Sequence, residues 1–304
     1  MLKTIKKSQT GSSILSNPVT DIITAALFFS TSGIWTKLSG QDAFVLSFFR
    51  AFIPVLFISI LNIFRASGRK IIHRPDRRLL LASVLNAVRS LLFFQALIIT
   101  SISKAVIMLY LWPVFVMGWN LLFKKEKVSF FKLVCILLAF AGIVVIYLEN
   151  FLSHSTKTSD LYGMTIMMIS SLIYSLTIIL FKEQGKTRDH YEITFYQNLS
   201  AVPLFFAASI IRFSIVPDSL ASVNLTGIAF ACLNGLVPGI FGFVLYFKGM
   251  SRMESSKAGQ LAYLEVVFSV LAGIVLFHEN PGPSFFAGAL LIIAAAVGRT
   301  FLRE

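Results

Sequence analysis

Three ionisable side chains sit deep inside long apolar runs of this chain: Arg50, Arg89 and Glu265. Each costs on the order of 2.5–3.5 kcal/mol at the centre of a helix in lipid, so each must face a partner or a wet cavity. A guanidinium there binds an acidic group, and a carboxylate binds a positive group or carries a proton. Arg89 lies about ten residues into its run, roughly 15 Å deep at 1.5 Å per residue, and Glu265 about eight residues beyond Lys257, at a similar depth. Matching depth lets the two share one cavity. The preferred reading is a substrate or proton site; the alternative is a structural ion pair locking two helices. Arg50 lies nearer one face, and a structural or gating role is expected of it.

The neighbours of these residues supply a candidate lining. Asn86 is three residues before Arg89 and so on the same helix face. Gln95, Asn120, Gln197, Asn198, Asn234 and Gln260 also fall in apolar runs, where such residues more often hydrogen-bond between helices than touch a ligand. Tyr110, Trp112 and Tyr263, with Trp119 and Tyr174, offer aromatic faces to a planar or cationic group. Trp112 stands out because of a repeat. Ser103–Glu126 and Ser256–Glu279 align without a gap, pairing Ser103 with Ser256, Tyr110 with Tyr263, Trp112 with Glu265 and Glu126 with Glu279. A repeat of so long a period is a duplicated domain, not a solenoid. Further matches extend it: Phe93-Phe94 sits at the same offset as Tyr246-Phe247, and Phe52–Phe57 resembles Ala201–Phe206.

The elements that must hold these groups are apolar helices. The chain has 304 residues, 56% of them hydrophobic and 13% charged, with a mean hydropathy of +0.80. So much apolar surface needs a bilayer as solvent. Spans of about 20 apolar residues are expected at 19–38, 43–64, 79–100, 104–123, 130–148, 161–181, 191–211, 225–247, 257–277 and 284–302. None alternates with the period of a barrel strand. The expected fold is an all-α polytopic membrane protein of ten transmembrane helices. Residues 1–18 form a polar tail, and the first apolar run is expected to be a retained helix rather than a signal peptide. Residues 19–150 form one five-helix repeat and 161–304 the second. Five helices per repeat make the second copy enter the membrane from the opposite side, the inverted plan of many secondary transporters. Lys and Arg crowd the loops at 65–78, 124–129, 182–190 and 248–256, whereas the opposite side holds only Lys37, Lys104, Lys157 and Arg212. By the positive-inside rule both termini are cytoplasmic.

Several function classes are excluded. The net charge of +13 is spread over short loops, which is a membrane-topology pattern and not a nucleic-acid footprint. Cys135 and Cys232 lie in apolar runs without a CxxC, and no metal site or cofactor is implied. There is no Walker A sequence and no HExxH, and the four His sit in loops or at span ends, so no enzyme is expected. Pro113 and Pro238 interrupt apolar runs and are candidates for structural or gating roles. Gly235 and Gly239 form a GxxxG around Pro238, read here as close packing.

Taken together the chain resembles the drug/metabolite transporter superfamily, EamA type, over essentially its whole length. The resemblance rests on two five-helix halves, the proline of YLWPVF in the fourth span (Pro113), and the acidic residues ending the fourth and ninth spans (Glu126, Glu279), each followed by a span rich in small residues. A departure is Tyr263-Leu264-Glu265-Val266, where the family often has proline after the glutamate; this form is similar to that of S-adenosylmethionine uptake carriers of intracellular bacteria. The resemblance implies a secondary-active carrier in a bacterial inner membrane. It would move a small polar metabolite, an amino-acid-like zwitterion or an S-adenosylmethionine-like compound, by alternating access. Its expected partners are the lipid bilayer, the small-molecule substrate, a coupling proton and a second copy in a homodimer. A broad-specificity exporter of metabolites or drugs is the alternative, and a non-transporting membrane scaffold a remote one.

Overall fold

The structure is a computed structural model. It describes residues 17–64, 71–123, 158–185, 187–216, 223–252 and 264–301, with 261–262 and part of 130–146. The described residues form helices and their connections, with no strand among them. Helix α1 (Pro18–Ser39) starts at Asn17, whose side chain accepts from the Val19 amide, and stops at Gly40, which takes the left-handed conformation (φ 58°) that glycine adopts at little cost. Helix α2 spans Ala43–Phe64 and α3 Arg77–Ile99. The described residues between 130 and 146 are helical. In the second half, α6 spans Thr158–Gln184, α7 His190–Leu199 and α8 Ala201–Ile215.

The fourth expected span, 104–123, is two helices rather than one: α4 (Ile102–Leu109) and α5 (Trp112–Leu122), broken at Tyr110–Leu111. The cause is Pro113, which has no N–H to give the carbonyl of Leu109. That carbonyl accepts instead from Ser171 Oγ of α6 at 2.6 Å. The eighth expected span has a related interruption. α9 (Leu225–Leu236) runs into a six-residue π-helical turn, Val237–Gly242, and then into α10 (Phe243–Ser251). Pro238 sits in that turn, where insertions in the helical ladder commonly mark functional sites. Two helices follow, α11 (Leu264–Phe277) and α12 (Pro283–Phe301). Residues 257–260, Gln260 among them, and Tyr263 of the ninth expected span lie outside the described residues, as do Glu126 and Cys135.

Among the described residues, five helical stretches are long and apolar enough to cross a membrane: Ala43–Phe64, Arg77–Ile99, Thr158–Gln184, His190–Ile215 and Leu225–Ser251. The outward faces of the apolar helices are greasy. Leu81, Val84 and Val88 of α3, Phe206, Ile210 and Ile211 of α8, and Leu271 and Val275 of α11 are all exposed. Such a belt is stable against lipid and not against water, so the chain is a polytopic membrane protein. Helices of the two halves pack on one another: α3 lies along α6, α2 against α8 and α9, and α1 against α9, the π turn, α10 and α11. Asn234 of α9 accepts from Ser32 Oγ and donates to Thr36 Oγ1 of α1, an interhelical hydrogen bond of the kind expected for it. Gly142 and Gly288 allow a close approach, because a Cβ on either would stand 2.6 Å from the other's carbonyl oxygen.

Candidate functional site

Both guanidiniums and the single deep carboxylate meet at one cavity in the middle of the bundle. Arg50 (α2), Arg89 (α3) and Glu265 (α11) line it, as do Asn86, Tyr110 and Trp112. Pro238 is also part of the wall. Of the candidate site residues, Tyr263 lies outside the described part of the chain, and the side chain of Pro113 is likewise undescribed. Pro113 acts in the site through the backbone. By ending α4 it leaves Tyr110 at the helix C-terminus and Trp112 at the start of α5, both on the cavity wall.

Arg89 is held in an aromatic slot. Its guanidinium carbon lies 4.2 Å from the ring centre of Tyr174 on α6 and 5.1 Å from that of Phe93 one turn along α3. These rings attract the charge through their faces but do not accept its N–H groups, and Arg89 Nε is buried with no hydrogen-bond partner. No ion pair joins Arg89 to Glu265 among the described residues. The two share a cavity without closing on each other. Trp112 meets Tyr174 edge-on, with ring centres 5.8 Å apart, and completes this aromatic wall.

Arg50, expected to be structural, also reaches the cavity. Its guanidinium stands over the Phe243 ring of α10 at 5.5 Å. It also lies against the π turn, where a Cβ at Gly239 would stand 2.5 Å from Arg50 Nη1. Gly239 is therefore a site glycine as well as a packing one: the bare backbone leaves room for the guanidinium.

Glu265 has a different environment. Tyr110 Oη lies 2.7 Å from Glu265 Oε2 and 2.5 Å from the carbonyl oxygen of Ala262. Asn86 donates from Nδ2 to the Gln197 carbonyl of α7 at 2.8 Å, while Asn86 Oδ1 and Gln197 Oε1 are buried without partners. Both residues line the cavity. A buried amide oxygen without a donor is costly, about 1–3 kcal/mol, so these atoms ask for a guest with hydrogens to give. Sequence reading did not single out Phe243 or Tyr246. The repeat carried a signal for Tyr246, since its counterpart Phe93 lines the same cavity. Among the described residues no group of acidic, His or Cys side chains is arranged to hold a metal.

Comparison with known proteins gives a consistent picture. The EamA-like transporter family matches residues 19–148 and again 161–300. An uncharacterized transporter of Archaeoglobus fulgidus is 27% identical over 91% of this chain and 93% of its own length. Solute carrier family 35 member G1 of Mus musculus is 25% identical over 93% of this chain and 77% of its own length. A solved structure described only as a protein crystal structure superposes with a TM-score of 0.64 at 19% identity, covering 94% of this chain and 98% of the other; it bears on the fold alone.

Proposed function

The chain belongs to the EamA-like transporter family, and we propose from that premise that it is a secondary-active carrier whose cargo occupies the central cavity. Ten spans arranged as two inverted five-helix halves, 19–150 and 161–304, with both termini in the cytoplasm of a bacterial inner membrane, complete the reading. Carriers of this plan bind near the bilayer midplane between halves and expose the site to one side at a time. The observation that carries the proposal is the cavity itself. Both halves contribute to it, and three of its polar atoms, Arg89 Nε, Asn86 Oδ1 and Gln197 Oε1, are buried without a protein partner. The cargo is a small polar metabolite, an amino-acid-like zwitterion or an S-adenosylmethionine-like compound, with its acidic group on Arg89 and its apolar part against Trp112 and Tyr174.

Glu265 has two roles to choose between, contact with a positive group of the cargo or carriage of a coupling proton. The surroundings of Glu265 support the second: it forms no ion pair among the described residues and meets the Tyr110 hydroxyl at 2.7 Å, and a buried carboxyl without a cation partner is less costly with a proton on it.

Flux into proteoliposomes tests both levels. After a thermal-shift screen of amino acids, nucleosides and S-adenosyl compounds has identified a binder, wild-type protein should concentrate it in response to a pH gradient. Glu265→Gln should abolish concentrative uptake and keep substrate exchange across the membrane. Loss of both in Glu265→Gln, with partial retention in Glu265→Asp, would assign Glu265 to the cargo instead. Absence of any flux would remove the carrier reading. With Arg89 and Glu265 not ion-paired, the double change Glu265→Gln with Arg89→Gln should not restore transport.

A further inference from the structure

We propose that Arg50 and Arg89 together form a two-guanidinium clamp for the acidic oxygens of the cargo, which narrows the amino-acid-like cargo of that reading to acidic metabolites of net negative charge and sets its S-adenosylmethionine-like alternative aside. The inference rests on the carrier reading above and adds to it the charge of what is carried. Arg50 and Arg89 are the cationic side chains of the cavity and Glu265 is its carboxylate, so the described lining is net positive even with Glu265 ionised. A guanidinium does not give up its proton, so the charges remain. Neither Arg50 nor Arg89 forms an ion pair among the described residues. Tyr110 occupies Glu265 on its Oε2 side.

The aromatic rings position the two guanidiniums without consuming their donors. Arg89 is sandwiched by Tyr174 and Phe93, and Arg50 rests on Phe243 and in the gap left by Gly239. Each is thus held in place with its planar fork of N–H groups left for a carboxylate or phosphate, the groups that geometry suits. Removing such charges from water without an anion is expensive, and an anionic guest offsets that cost. Asn86 Oδ1 and Gln197 Oε1 want donors, which places a hydroxyl or amino group on the cargo beside its acid. Carboxylate and phosphate share this chemistry, and the probes below separate them.

Purified full-length protein in detergent is titrated with aspartate, glycerol phosphate, alanine and choline while its unfolding temperature is followed. Aspartate or glycerol phosphate should stabilise, the stronger of the two telling carboxylate from phosphate, and alanine and choline should not. Equal stabilisation by alanine or choline, or none by either anion, would overturn the clamp. Arg50→Gln should weaken the anion about tenfold or more, Arg50→Lys less. Gly239→Ala, whose new methyl displaces Arg50, should weaken it as well while leaving every charge in place. Unchanged anion affinity in Arg50→Gln, or in Gly239→Ala should Arg50→Gln not fold, removes Arg50 from the site. Flux keeps the two proposals apart. An anion that binds through Arg50 but does not cross leaves the clamp and removes the carrier; alanine flux indifferent to Arg50→Gln does the reverse.

Discussion

At the scale of single residues, the break in the fourth span shows how one missing hydrogen shapes the site. Pro113 withholds an amide from Leu109, and Ser171, from the other half of the chain, supplies a hydroxyl in its place at 2.6 Å. Removing that hydroxyl strands a buried carbonyl, which costs about 1–3 kcal/mol. Ser171→Ala should therefore lower the unfolding temperature of the detergent-solubilised protein. In a Pro113→Ala background the helix regains its own donor, and the same change should cost clearly less; equal costs in both backgrounds would show that Ser171 acts elsewhere. The proline was legible in the sequence, because it interrupts an apolar run. Its partner was not, since nothing local to a serine 62 positions beyond Leu109 says which carbonyl it meets.

At the scale of elements, the apolar runs located the helices because length and hydropathy follow directly from the bilayer. The π turn at Val237–Gly242 was not legible: GxxxG around Pro238 suits either close packing or an insertion, and only the position of Arg50 against Gly239 distinguishes them. Helix caps, which no reading of the apolar runs supplies, are local chemistry that fixes where a helix begins. Asp76 caps α3 by accepting from the Leu79 amide at 2.8 Å, and its other oxygen accepts from Gln184 Nε2 at the end of α6, at 2.9 Å. The Leu79 hydrogen bond, followed by that of Gln184 and the charges of Arg188 and Arg78, holds its carboxyl below the usual carboxylate range against a smaller opposing effect of burial. A carboxyl lowered on folding stabilises the fold while ionised, and that contribution is lost as pH falls through the folded-state value. Wild-type protein should thus lose unfolding temperature on acidification below about pH 4 more steeply than Asp76→Asn, which still caps but does not titrate. Parallel curves would show that the α3–α6 junction does not depend on the charge of Asp76.

At the scale of the whole molecule, the contacts sort the charged residues onto two ends of the bundle. At one end Asp21 of α1 pairs with Lys248 of α10 and with Arg252 just after it, and Glu192 of α7 pairs with Arg188 and contacts His73. Arg78 and Glu183 meet there too, joining the start of α3 to the end of α6. At the other end Lys37 donates to the Thr100 carbonyl, Lys104 pairs with Asp160, and Arg212 pairs with Asp42. Glu279 also sits at this end, accepting from the amides of Ile102 and Ser103 and from Ser103 Oγ. The first end carries the cationic excess, with Arg74, Arg77 and Lys182 added, and the second has acids and bases nearly matched. Short basic loops are retained in the cytoplasm, so the first end should face inward. The test uses a background with Cys135 and Cys232 replaced by alanine, and single cysteines at two exposed positions, Arg77 at the first end and Thr158 at the start of α6 at the second. An impermeant maleimide added to intact cells should label Thr158→Cys alone, and Arg77→Cys should react only after the membrane is opened. The reverse pattern would invert the molecule, and with it the direction in which a pH gradient drives any proton carried on Glu265.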